Sequence, residues 1–312
     1  ITKGGTVFMN SVLSMTKRNI KLFFKDRATL IFTFLAPVII LGLYLLFIRN
    51  MQVEGMSESG IPKEKIGNIV DSWLIAGVAA VGMMSVALNV CALSVADRQW
   101  GLSDDFLVSP VKPYKIKAAY LLSAFILTFA VGAVFIVLGV SYLALTGGAA
   151  DVFMAVRLFG VMLLTTVFSV SLMDSIVSAF KTQQASGAFG GLFSAFSGFI
   201  TGAYMPMSIF PKPVRFICEL FPGTHAASLY KQILIGAQTA SFGADSYISE
   251  ALNDALGVKI GLFGAEIGAA GQVVYILAVS VLLVAAAIFL PKAVKNPFVK
   301  TDSKNKAKKY RV

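Results

Sequence analysis

Six long apolar runs, at about 30–48, 72–94, 118–145, 152–180, 187–204 and 271–290, constrain this chain more than any other feature. A helix rising 1.5 Å per residue needs roughly 20 apolar residues to cross a hydrocarbon core of about 30 Å, and each run approaches or exceeds that length. In lipid the backbone must satisfy its own hydrogen bonds, which leaves helices or a closed barrel. Barrel strands alternate apolar and polar residues over about ten positions, and these runs do not. The expected fold is therefore an all-α membrane protein with six transmembrane helices in one domain over 1–312. The charged fraction agrees: 14%, against about 25% in soluble domains.

Lys and Arg set the orientation, because they stay on the cytoplasmic side. With both termini inside, 19 of the 27 basic residues fall in cytoplasmic segments, eight of them in the tail after Leu290. The net charge of +11 is then a topology signal and an attraction to anionic membrane lipids, with no nucleic-acid partner expected. The first apolar run is full span length and lacks a small-residue cleavage site, so it is expected to stay as a span rather than act as a signal peptide. The multi-pass chain is placed in a bacterial plasma membrane.

Two amphipathic or polar segments face the cytoplasm in this topology. Residues 12–27 predict an interfacial helix lying on the membrane, with Val12, Leu13, Met15, Ile20, Leu22, Phe23 and Phe24 on one face. Ser14, Lys17, Arg18, Lys21 and Lys25 gather on the other. The island at 96–117 predicts a short helix over 96–106 and a loop closed by prolines at 109–113. Asp97, Arg98, Trp100 and Gly101 open it, where a soluble partner can grip the chain. An ordinary solvated connector is the plainer alternative.

These residues resemble the membrane subunits of ABC-2 type exporters. The resemblance rests on Asp97-Arg98-Gln99-Trp100-Gly101 followed by Ser109-Pro110-Val111, on Arg18-Asn19 and Asp26 ahead of a first span containing Pro37, and on two later motifs. These are Thr201-Gly202-Ala203-Tyr204-Met205-Pro206 and Phe221-Pro222-Gly223-Thr224-His225. Asp97 stands where the family more often has Glu. The resemblance implies a permease subunit that pairs with a second permease subunit, as homodimer or heterodimer. Each docks an ATP-binding cassette ATPase subunit, which holds ATP and Mg. It also implies that the 96–106 coupling helix and the 12–27 helix, through Asp97, Arg98, Trp100, Gly101, Lys17, Arg18 and Lys21, receive the ATPase's motion. No GxxxxGK[ST] phosphate loop occurs in the chain.

By the same resemblance the pathway runs between the second and fifth spans. The fifth carries Gly187, Gly191, Gly198 and Gly202 as a smooth stripe for helix packing or a dimer interface. Phe189, Phe193 and Phe196 accompany it, and the second span offers Met83, Met84 and Asn89. Such soft side chains suit an apolar or amphipathic cargo (a drug, toxin or lipid-like molecule), though plain packing uses the same residues. An intramembrane amide is expected to face protein or a water-filled path. Asp174, the one acid well inside an apolar run and two turns before Lys181, is expected to pair structurally or contact a partner, with proton or ion coupling the bolder alternative. The 205–270 segment, with a second apolar stretch at 225–237 too short to span, predicts a re-entrant or interfacial outer helix. Thr224 caps it, and Met205, Pro206, Pro222, Thr224 and His225 form an outer gate.

Other classes fit less well. One histidine excludes HExxH, no GxSxG occurs, and Cys91 and Cys218 have no metal-ligand neighbours, so no catalytic, metal or cofactor site is expected in this chain. Export of a lipid-linked glycan or of sodium is the alternative within the family. A secondary transporter or channel, which would show internal repeats or several intramembrane charges, is the alternative outside it.

Overall fold

The computed structural model describes residues 2–44, 46, 49–56, 63–103, 111–240 and 252–293. Helix α1 (Thr2–Lys25) and helix α2 (Arg27–Leu43) meet at an elbow on Asp26. The Asp26 carboxylate accepts from the Thr29 amide at 3.0 Å and the Thr29 hydroxyl at 2.7 Å, which serves one of the N–H groups a helix start leaves free. The same bonds hold its carboxyl below the usual range. Pro37 remains inside α2, and the short helix α3 (Arg49–Gly55) follows.

Helix α4 (Lys63–Gln99) is the hub. Its most apolar stretch is 89% buried, and α5 (Pro113–Leu145), α6 (Val152–Val177), α7 (Gln183–Ile200) and α9 (Pro222–Thr239) all pack on it. Pro113 starts α5 at a position whose N–H has no intrahelical partner anyway. Asp151 caps α6 through the Met154 amide, and Thr182 caps α7 through the Ala185 amide. A three-residue 3₁₀ turn (Met207–Ile209) and helix α8 (Lys212–Glu219) lead into α9. An antiparallel hairpin of β1 (Gly261–Leu262) and β2 (Ala265–Glu266) precedes α10 (Ala269–Ala293), which is the most outward-facing of the long helices.

Among the described residues four helices are long and apolar enough to cross a membrane: Lys65–Gln99, Pro113–Leu145, Val152–Val177 and Ala269–Ala287. They correspond to the expected second, third, fourth and sixth spans. The expected first and fifth are helices of 17 and 18 residues.

Several expectations change. The 12–27 helix extends back to Thr2, and its apolar face is divided: Val12 and Met15 pack with Ile116, Ala119 and Tyr120 of α5, while Leu13 and Phe24 stay exposed. Thr16 and Asn19 reinforce that contact through the Ala119 carbonyl and Ser123 hydroxyl. Within the expected 96–106 helix, 96–99 form the last turn of α4, Gly101 at φ 77° interrupts it, and Leu102 and Ser103 are helical again before the described residues end. Residues 104–110, including Ser109 and Pro110, lie outside the described residues, as does the 294–312 tail.

Thr224 is not the cap of its helix. Phe221 occupies that position, and the Thr224 hydroxyl instead donates to the carbonyls of Ile200, at 3.0 Å, and Cys218, at 2.7 Å. Helix α9 is also no surface element, since nearly all of it is buried against α4, α6 and α10. Its Gly223 end approaches Met84, midway along α4, and its far end meets the 146–151 turn, where Gln238 and Ala149 exchange two hydrogen bonds.

Candidate coupling junction and transport cleft

The last turn of α4 hands successive side chains to different helices. Asp97 is buried, and Arg18 of α1 grips it with both guanidinium nitrogens, at 2.7 and 3.1 Å. The Tyr120 hydroxyl of α5 donates to the same carboxylate. Charge-assisted bidentate geometry is the strong form of such a bond, and it raises the Arg18 pKa above its ordinary value, the hydrogen bond to Asp97 outweighing the cost of burial.

Arg98 points the other way. Its Nε donates to the Ser94 carbonyl at 3.1 Å, and its Nη atoms reach the carbonyls of Ser178 at 3.3 Å and Phe180 at 3.4 Å. A cation there meets the negative end of the α6 dipole and carbonyls just beyond the end of α6 at Val177, where the chain tightens into i→i+3 turns. Gln99 accepts from the Gln183 amide at 2.6 Å and donates to Gln184 at 3.4 Å, joining the start of α7. Alongside, Lys117 bonds Asp174 at 2.6 Å and Ser178 at 3.2 Å. Asp174 therefore has a structural partner, and it is Lys117 of α5 rather than Lys181.

Asp97, Arg98 and Gln99 thus tie α1, α5, α6 and α7 to one helix end. Trp100, next in sequence, is 72% exposed. Lys17 and Lys21 are exposed as well, whereas Arg18, expected on the same outward face, is turned inward by the buried carboxylate.

Beside this junction opens a cleft of about 520 Å³ bounded by the α1–α2 elbow, α4 and α7. Leu22, Phe23, Leu88 and Leu93 give it apolar walls, while Thr29, Asn89, Gln183 and Ser194 place isolated polar groups in them. The Asn89 amide donates to the Thr33 hydroxyl of α2 at 3.3 Å. Gly187 and Gly191 line the opening, with free space where a Cβ would stand, and Gly190 lets Leu88 approach to 2.9 Å of that position.

The remaining pathway candidates separate from the cleft. Met83 and Met84 are fully buried: Met83 accepts a bond from the Tyr230 hydroxyl and abuts Gly132, and Met84 packs at Gly223. Their geometry is that of helix packing. Phe189 stacks between Phe180 and Phe193, whereas Phe196 is exposed on α7. Gly198 is packed under Tyr204, whose ring would meet a Cβ at 2.1 Å.

Gly202, at φ 64°, closes α7 in the left-handed cap that glycine adopts readily, with Ala203 N–H on the Gly198 carbonyl and Gly202 N–H on that of Phe199. The other expected gate residues form no single surface. Met205 and Pro206 are half-buried, Pro222 and Thr224 are buried, and His225 is buried with Nε2 2.7 Å from the Glu219 carbonyl oxygen.

Two charged sites escaped the sequence reading. Arg49 holds the buried Asp71 bidentately at 2.8 and 3.1 Å at the opposite end of α4. Lys231 of α9 is fully buried, its Nζ 2.7 Å from the Gly202 carbonyl and 5.2 Å from the Trp73 ring centre. The available signal was a lone lysine within the short apolar stretch at 225–237.

The sequence model of the family described as ABC-2 type transporter matches residues 10–235, which take in α1 through most of α9. No curated protein matches the chain. The family's membrane subunits associate with ATP-binding cassette subunits, and the apolar helices place this chain in a membrane accordingly. With well over half of its residues covered by that match, the chain belongs to the ABC-2 type transporter family as a membrane transport subunit.

Proposed function

We propose that the chain is the permease half of an ATP-driven exporter that moves a hydrophobic or amphipathic molecule out of the cell by alternating access. In this reading α2 and α7 complete a six-span subunit with both termini cytoplasmic. Two such subunits, or this one and a related permease, enclose the path, and separate ATP-binding subunits dock at the α4 terminus. The supporting observation is adjacency: the cleft between α2, α4 and α7 sits directly against the junction that Asp97, Arg98 and Gln99 form.

A push on the exposed Trp100 end reaches four helices through that junction, two of which carry or adjoin the cleft walls. Arg18 and Asp97 act as positioning residues, and Trp100, Lys17 and Lys21 are the groups a docked ATPase meets. The cleft's apolar walls suit hydrocarbon, and its scattered amides and hydroxyls suit a head group.

The test is reconstitution in vesicles with a purified ATP-binding cassette subunit that co-assembles with this chain, followed by amphiphile-stimulated ATP hydrolysis and uptake into inverted vesicles. Gly191→Leu puts an apolar side chain into the cleft from a position where the added Cβ meets no atom within 4 Å. It is expected to lower stimulated transport about tenfold or more, the loss that follows when productive binding is misplaced by an ångström or more. Full transport by that variant would remove the cleft from the pathway.

A further inference from the structure

Between Arg157 and Asp174 helix α6 has no charged residue, and at 1.5 Å per residue the two lie about 25 Å apart along its axis. A hydrocarbon core is about 30 Å thick, so each stands near one of its boundaries. The fold treats them differently. Asp174 is buried and bonded to Lys117. Arg157 is exposed, and no ion pair among the described residues includes it. The nearest acid in sequence, Asp151, caps the start of α6, where its carboxylate accepts from the Met154 amide.

Phe153 and Gly160, at i−4 and i+3, lie on the same side of the helix as Arg157. The Phe153 ring is 68% exposed, and the guanidinium stands over it, 4.8 Å from carbon to ring centroid. That contact restrains a side chain which otherwise samples many rotamers. One turn deeper, Gly160 has nothing within 4 Å of the place a Cβ would take. Val156 and Phe159 stand exposed beside it, and Phe159 is held edge-on by Phe129 of α5 at 5.5 Å between centroids. From the α5–α6 turn inward, this side of α6 therefore presents an aromatic ring, a cation and a notch of bare backbone. A restrained, unpaired guanidinium above an apolar notch fits a ligand with an anion at one end and hydrocarbon below it.

We propose that this side of α6 binds one anionic phospholipid, whose phosphate diester takes the Arg157 guanidinium and whose acyl chain lies over Gly160 beside Val156 and Phe159. Charge selects the occupant. The fork of the guanidinium matches two phosphate oxygens, and a lipid of net negative charge supplies the counter-charge that the fold withholds from Arg157. A zwitterionic lipid brings its own cation, which competes for the same phosphate. The site shares no residue with the cleft or with the α4 terminus. The inference is thus independent of the cargo and of the ATPase.

Quenching by brominated lipid, in the full chain reconstituted in vesicles, tests this. Phe153→Trp keeps an aromatic ring at the site and adds a fluorophore there. The parent, with Trp73 buried and Trp100 at the other end of the bundle, supplies the blank. Phosphatidylglycerol and phosphatidylcholine, each brominated in the acyl chain, are compared at equal mole fraction. The added emission is expected to report about fivefold preference for phosphatidylglycerol, the effect of one basic side chain at an anionic membrane surface. Combining Phe153→Trp with Arg157→Gln should bring the ratio to about one. A preference that survives Arg157→Gln, or one absent while Arg157 is in place, would overturn the proposal. Quenching by neither lipid, which marks a protein covering this side of α6, would overturn it too. So would a preference abolished by inorganic phosphate at constant ionic strength, since the ligand would then be the free anion.

Discussion

Asp97 and Lys231 are both buried charges that fasten helices together, and they are held by opposite means. Asp97 meets a full counter-charge in Arg18, itself 29% exposed, and a hydroxyl from Tyr120. Lys231 has no carboxylate partner among the described residues and relies on the Gly202 carbonyl and the Trp73 ring. The first arrangement joins α1, α4 and α5 through a strong charge-assisted bond whose guanidinium is partly open to solvent. The second is dry and dipolar, and it fixes the end of α7 against α9 at the turn where Thr224 also binds the Ile200 carbonyl. In the proposed mechanism the junction that would transmit motion and the seam that would resist it are thus held by different electrostatics.

Removing the cation is expected to affect the two sites unequally. Arg18→Met strands a carboxylate that is 4% exposed, and thermal unfolding in lipid nanodiscs is expected to show a loss of roughly 2–4 kcal/mol, as when one partner of a buried pair is deleted. Equal stability to the parent would mean that Tyr120 alone suffices. Lys231→Met removes a cation whose burial is itself costly while orphaning one carbonyl, so the two changes oppose each other. The expected net shift is within about 1 kcal/mol. A loss as large as that of Arg18→Met would show that Lys231 is a paired charge after all and erase the contrast.

Part of the Asp97 end was legible in sequence, because Asp97, Arg98 and Gly101 form a local pattern that marks the polar end of an apolar helix, although the break at Gly101 falls inside the helix expected over 96–106. What was not legible is long-range. Arg18 lies 79 positions from Asp97, and a helical projection of α1 assigns it to the basic face because the projection contains no buried carboxylate to attract it. Met83 and Met84 were drawn toward the pathway by their chemistry, but α4 is apolar all round, so its periodicity could not say which side meets Tyr230 and which meets the cleft.

Thr224 sits where a helix cap is expected, yet tertiary contact with the end of α7 outcompetes capping. Lys231 is one charge in a short apolar stretch. Only the fold brings Gly202, from a turn, and Trp73, from another helix, to the same point.

If the α4 terminus receives the ATP-binding subunit, as proposed, Trp100→Ala should weaken that contact and little else. Trp100 is 72% exposed and lies beyond the junction formed by Asp97, Arg98 and Gln99. The substitution should therefore leave thermal stability within about 0.5 kcal/mol of the parent. The measurement is the affinity of the purified ATP-binding subunit for the reconstituted permease. A loss of about 30-fold, the cost of about 2 kcal/mol expected when an interface tryptophan is truncated, is the predicted result. Undiminished affinity in a stably folded variant would contradict it.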